Sequence, residues 1–408
     1  MISDINLTIN TPVYRRWRFQ IFVVTWLAYF GFYLTRKSFI IAKIGIQLDP
    51  SMRSLTAESM GWIDGCFLAA YTIGQLVFGI AGDRMGTRKV VAAGMLCSVI
   101  AAVAMGVSSL TVMMGVIFFI QGLAQSTGWG PLVKNVGSFF LRRERGFVLG
   151  LWCTSYAVGG MIASIYAGYW GDRFGWRYAF FMPAATLLVI WVLFMLFQRN
   201  SPEDVGLPVL ERDGESDVMH NTAGSQSTSP SWKNLVAVIA DRHILLFAAM
   251  YFFIKPIRYA LLFWGPAYIH ARLGTGMARS GFISSLFDFA GVLSDKLFAS
   301  KRIPVCSLSM LSLGFLLFFM HRLPATSFML GAGYMVIGFL VYAPDSVISA
   351  IAPVDFGVGK RALTAVGFVN CMGSIGAIIG GTVPGFFAHR WGWHGVFLFL
   401  GVLTAAGG

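Results

Sequence analysis

Gly79-Ile-Ala-Gly-Asp83-Arg84-Met-Gly86-Thr-Arg88-Lys89 is the stretch that decides the fold. It lies between two apolar runs, 62–82 and 90–108, each long enough to cross a bilayer. Gly79 lets a neighbouring helix come close, and Gly86 permits a tight turn. Asp83 can accept bonds from a helix N-terminus or from a nearby arginine. Arg84, Arg88 and Lys89 add a basic cluster at one membrane face.

Outward from this loop the rest of the chain is equally apolar. Of 408 residues, 56% are hydrophobic and only 12% charged. Soluble domains carry about 25% charged residues. The composition therefore excludes a soluble, a disordered or a nucleic-acid-binding protein. Twelve spans are expected, near 19–44, 62–82, 90–108, 111–136, 147–170, 177–198, 243–270, 280–293, 304–321, 325–350, 361–387 and 394–408. The eighth and the twelfth, the latter ending at Gly408, read as shortened. The segment 199–242 is polar and acidic and reads as a solvated linker between six spans and six. The domains are thus a first half (1–198), the linker (199–242) and a second half (243–408). The first span follows Arg15, Arg16 and Arg18 and has no cleavage site, so it is not a signal peptide.

The net charge of +13 sorts by side. One set of loops holds Arg15, Arg16, Arg18, Arg84, Arg88, Lys89, Arg142, Arg143, Arg145, Lys296, Lys301, Arg302, Lys360 and Arg361. The other holds Lys43, Arg53, Arg173, Arg177, Arg272, Arg279, Arg322 and Arg390, which is 14 against 8. The positive-inside rule places the first set, and both termini, in the cytoplasm of an inner (plasma) membrane protein. The basic excess is a topology signal and calls for no acidic partner.

The halves repeat one another. Gly168-Tyr-Trp-Gly-Asp-Arg-Phe-Gly-Trp176 matches Gly385-Phe-Phe-Ala-His-Arg-Trp-Gly-Trp393 at an offset of 217. Arg36 in the first span has a counterpart, Arg258, in the seventh, at an offset of 222. Charge inside a membrane is costly and marks a site. Neither helix offers an acidic residue close to its arginine. Guanidinium is permanently charged and grips phosphate or carboxylate with two parallel bonds. Two such groups facing one point predict a dianion, phosphate or a phosphate monoester. An empty carrier would resist closing around two cations, so exchange is expected rather than free uniport.

The pattern Gly-x-x-x-Asp-Arg-x-Gly-x-Arg-Lys resembles the loop signature of the major facilitator superfamily. Gly79, Asp83, Arg84, Gly86 and Arg88 are then expected to act in conformational gating. The implied fold is all-α: twelve transmembrane helices in two six-helix halves. Further stretches resemble one branch of it, the organophosphate:inorganic phosphate antiporters, which include glycerol-3-phosphate and hexose-6-phosphate transporters. They are Tyr33-Leu-Thr-Arg-Lys-Ser-Phe39, Gly128-Trp-Gly-Pro131, Glu144-Arg-Gly146, Pro202-Glu-Asp-Val-Gly-Leu-Pro208 and Arg258-Tyr-Ala-Leu-Leu-Phe-Trp-Gly-Pro266. The resemblance implies phosphate binding by Arg36 and Arg258 and pore positions for Tyr29, Tyr33, Tyr71 and Tyr342. Asp288 matches an acidic position of the eighth helix and could pair with Lys37 across the halves.

The chain also departs from that branch. Tyr156 stands where a histidine is usual, Gln75 where lysine is frequent, and Phe263 where an acidic residue would follow Arg258. Tyrosine cannot become a cation near pH 7, so proton tuning at that place is lost. No catalytic triad, nucleotide-binding loop or metal-ligand spacing is present in the sequence, so neither an enzyme nor a cofactor is expected. The expected partners are a phosphate-bearing small molecule and the lipid bilayer, with no nucleic acid, and the carrier is expected to be a monomer. Two other readings share the fold: a membrane sensor of a sugar phosphate, and a facilitator of another organic anion.

Overall fold

A computed structural model describes residues 11–208, 241–297, 303–346, 348 and 362–408. Within these, the side chains of 76, 79–84, 142, 291–297, 303–306, 343, 346 and 362–367 lie outside the description. All regular structure among the described residues is helical. The first half contains α1 (Pro12–Leu48), α2 (Ala57–Met85), α3 (Thr87–Val107), α4 (Thr111–Ser126), α5 (Trp129–Ser138), α6 (Arg142–Trp152), α7 (Thr154–Phe174) and α8 (Tyr178–Phe197). The second contains α9 (Arg242–Leu273), α10 (Met277–Leu297), α11 (Ile303–Met320), α12 (Ser327–Ser346) and α13 (Ala362–Gly407).

The helix boundaries follow local chemistry. Pro12 opens α1 behind the N-cap Thr11, whose hydroxyl accepts from the Tyr14 amide. Asp241 caps α9 by accepting from the amides of His243 and Ile244. At the far end Gly274, at φ 64°, turns the chain out of α9. The duplicated nonapeptides behave alike. Gly175 and Gly392 stand at the same repeat position, and both take positive φ, 95° and 66°. Gly392 breaks α13 into two helices there.

Six of the described helical stretches are long and apolar enough to cross a membrane by length and composition. One of them joins α4 to α5 and another joins α6 to α7. Their outer faces carry large apolar side chains, such as Val112 at 80% exposure, Phe328 at 77% and Phe315 at 68%. Apolar exposure on this scale fits a lipid surround, not water.

Two sequence expectations need correction. The eighth span is not short. As α10 it has 21 residues, about 32 Å at 1.5 Å per residue, enough to cross. Its first turn contains Arg279 and Ser280 and so escapes a hydropathy reading. That turn is fixed instead from the other half, where Asp172 Oδ1 and Oδ2 accept from the amides of Met277 (2.7 Å) and Ala278 (2.9 Å). Lys43 is not a loop residue either. α1 continues to Leu48, so Lys43 is fully buried, ion-paired with Asp64 of α2. Its removal from the poorer loop set deepens the charge asymmetry.

The halves meet chiefly along α2 with α13 and α7 with α10. Small residues allow this contact. A Cβ added at Gly168 would lie 2.5 Å from Ala278 Cα, and one at Gly61 would lie 2.5 Å from the Thr382 carbonyl oxygen. Among the described residues these approaches lie between the Lys37–Asp288 level and the loops 49–56, 175–177 and 274–276. That end is closed. Towards the opposite end, Gln75 on α2 is exposed.

The loop 79–89 joins a separate network. Gly86, at φ 82°, starts α3. The Arg88 amide donates to Asn200 Oδ1 at 2.8 Å, and the Arg88 guanidinium donates to the Met195 carbonyl. The segment after α8 is thus held to the start of α3. The side chains of Asp83 and Arg84 and the surroundings of Gly79 lie outside the described residues.

Candidate functional site

Arg36 is buried between α1, α2 and α4. Its guanidinium lies 4.5 Å from the Tyr33 ring centre and 4.7 Å from that of Tyr71. Its Nε donates to Gln125 Oε1 at 2.8 Å, and Gln125 Nε2 donates to the Thr35 hydroxyl at 3.1 Å. The amide therefore holds Arg36 without neutralising it. The Arg36 Nη2 is buried without a hydrogen-bond partner. A buried unsatisfied donor is costly, and an anion would satisfy it.

Arg258 is held differently. Nη1 donates to Asp345 Oδ2 on α12 at 2.5 Å, while the Tyr342 ring lies 4.4 Å from the guanidinium. Lys255, one turn earlier on α9, lies 3.2 Å from the other Asp345 oxygen. The sequence expectation of an arginine without an acidic partner is therefore wrong for Arg258. The partner comes from another helix. The Nε of Arg258 remains buried without a hydrogen bond.

A third cluster joins the halves. Lys37 Nζ lies 3.1 Å from Asp288 Oδ2 on α10, and the Tyr342 hydroxyl donates to Asp288 Oδ1 at 3.1 Å. The cross-half pair anticipated from sequence is present. Tyr33 and Tyr259 each lie within electrostatic reach of both guanidiniums, so the two arginines flank one region. In this neighbourhood Arg36, Lys37, Arg258 and Lys255 are positive, and Asp288 and Asp345 are negative. The net charge is +2, the same as the sequence expectation, but reached with six groups rather than two.

A sequence profile of the Major Facilitator Superfamily matches residues 21–343 and 288–408. The chain belongs to the major facilitator superfamily. A probable hexose phosphate transport protein of Chlamydia muridarum is 28% identical, with 98% of this chain and 91% of that protein covered. A glycerol-3-phosphate transporter of Bacillus subtilis is 27% identical, covering 95% and 90%. A mouse glucose-6-phosphate exchanger is 26% identical, covering 84% and 76%. The solved structure of the nucleoside transporter NupG superposes with a TM-score of 0.75 at 13% identity, over 96% of this chain and 98% of that one. That last likeness concerns the fold.

Other residues of this superfamily member fall around the two arginines. Tyr29 is buried one layer behind Tyr33, against Trp129 and Trp152 at ring separations of 5.4 and 5.1 Å. The Gly128–Pro131 stretch thus supports α1 through Trp129. Tyr156 on α7 packs 6.3 Å from Tyr33. Gln75 follows Tyr71 by one turn and makes no hydrogen bond to the cluster among the described residues. Gln125, Lys255, Tyr259 and Asp345 escaped the sequence reading. Lys255 and Asp345 are charges inside apolar spans, a criterion that would have found both. Gln125 is neutral and gives no such signal. Among the described residues no group of His, Cys, Asp and Glu could hold a metal.

Proposed function

We propose that the chain is a twelve-span secondary transporter that exchanges a phosphorylated organic metabolite for inorganic phosphate. The observation that carries this reading is the pair of buried arginines in a neighbourhood of net charge +2. A phosphate dianion matches that charge and supplies acceptors to the unpartnered Arg36 Nη2 and Arg258 Nε. The curated relatives, named as hexose phosphate and glycerol-3-phosphate carriers, support the same class. Arg36 and Arg258 bind the phosphate, with Lys255 beside Arg258 on the same helix face. Tyr29, Tyr33, Tyr71, Tyr156 and Tyr342 shape the cavity, with Gln75 at its mouth. The Lys37–Asp288 pair ties the halves at the level of the ligand.

The mechanism is alternating access. With both termini on the cytoplasmic side, the closed end faces outward. Bound phosphate bridges the halves and offsets the repulsion that an empty closed cavity would suffer. The loop 79–89 and its ties to 195–200 brace the cytoplasmic end of the first half. The carrier works as a monomer in the plasma membrane.

Labelled-phosphate exchange in proteoliposomes tests this reading. Efflux of trapped label should need external phosphate or an organophosphate, and Arg36→Lys should slow it strongly. Exchange by Arg36→Lys and Arg258→Lys at the unmodified rate would overturn the proposal. Binding of a phosphate ester without counterflow would instead indicate a sensor.

A further inference from the structure

Asp345 sits where a substrate phosphate would sit relative to Arg258. Its carboxylate, only 10% exposed, accepts from one guanidinium nitrogen of Arg258 at 2.5 Å. Its other oxygen faces Lys255 at 3.2 Å. Lys255 and Arg258 are three residues apart on α9, so they share one face and can pass an anion between them. Among the described residues Arg36 has no such acid: its orienting partner is the neutral Gln125. The carboxylate therefore burdens only one of the two arginines.

We infer that Asp345 is an internal competitor for Arg258, and that Lys255 is the cation that receives Asp345 when phosphate displaces it. This rests on the phosphate-exchange reading above. In the empty carrier Asp345 occupies Arg258 and offsets its charge. An arriving dianion takes Arg258 together with Arg36. Asp345 swings to Lys255, so no buried carboxylate is left unpaired. On release Asp345 returns to Arg258. The competitor weakens phosphate binding and hastens its departure. Asp345 and Lys255 act through Arg258 and are positioning residues for exchange.

The test is equilibrium binding of inorganic phosphate to the purified full chain, with exchange turnover in proteoliposomes alongside. Asp345→Asn should bind phosphate about tenfold more tightly, since a like charge is removed. It should turn over more slowly, because release now limits exchange. Lys255→Met should bind about tenfold more weakly. The double variant Lys255→Met/Asp345→Asn keeps the net charge at +2 and should return towards the unmodified affinity. A tighter Kd with a slower turnover is not what a merely structural defect produces. Asp345→Ser serves as a second neutral variant should asparagine disturb folding. An unmodified chain that binds no phosphate would overturn both readings. Phosphate binding in the unmodified chain, with neutral variants no tighter, would overturn this one alone.

Discussion

Arg36 and Arg258 stand at matching places of a duplicated fold, yet they are held in opposite ways. One is oriented by a neutral amide, the other by a carboxylate that a lysine shares. On the proposed function, the first keeps its full charge for phosphate, while the second must give up a partner to bind it. The halves differ in a second respect. The first carries a fully buried ion pair, Lys43–Asp64, and the Lys43 ammonium also donates to the Phe263 carbonyl across the seam at 3.1 Å. The residue at the Arg36–Arg258 offset from Lys43 is Gly265, which has no side chain to charge.

The largest effect should come from that buried pair. Lys43→Met strands Asp64 in the seam and should cost about 3–5 kcal/mol of stability, whereas Lys43→Met/Asp64→Leu should recover most of it. Thermal unfolding in detergent measures both. Equal loss in the two variants would show that the pair is not one unit. Next come the arginines. Arg36→Lys should lower phosphate exchange by about 100-fold, because lysine loses the two-pronged grip. Arg258→Lys should fall less, since Lys255 is already beside it. Identical losses would erase the distinction between the halves.

A smaller change should follow from making the first site resemble the second. Gln125→Glu places a carboxylate on Arg36 with no lysine to take it, and the net charge falls to +1. Phosphate Kd should rise about tenfold, and isothermal titration would show it. The smallest contrast should be between the repeat glycines. Gly175→Ala and Gly392→Ala both force a side chain into extended backbone at positive φ, with open space around it, at about 1–3 kcal/mol each. A large difference between them would mean that the two turns are not equivalent.

Much of this arrangement was legible in the sequence. The apolar runs, the loop at 79–89, the nonapeptide repeat and the paired arginines are local or periodic signals, and they carried the fold and the principal ligands. Lys37 with Asp288 was readable through the family resemblance, in which the eighth helix carries an acidic residue. What escaped was the set of partners supplied by other helices. Asp345 lies 87 residues from Arg258, and Gln125 lies 89 from Arg36. Such pairings depend on how helices rotate against each other, which hydropathy does not report. The full length of α10 was hidden for a related reason. Its polar first turn is made helical by a carboxylate, Asp172, that is remote in the chain.

That carboxylate has a consequence for observing the protein at work. The first turn of α10 is capped from the opposite half, so its two amide protons are sheltered only while that end stays shut. Parting the halves there must expose the Met277 and Ala278 amides to water. Their hydrogen–deuterium exchange therefore counts partings of the halves at that end without any attached probe. Adding phosphate should change the rate at these two amides, while those at the centre of α3 stay fixed.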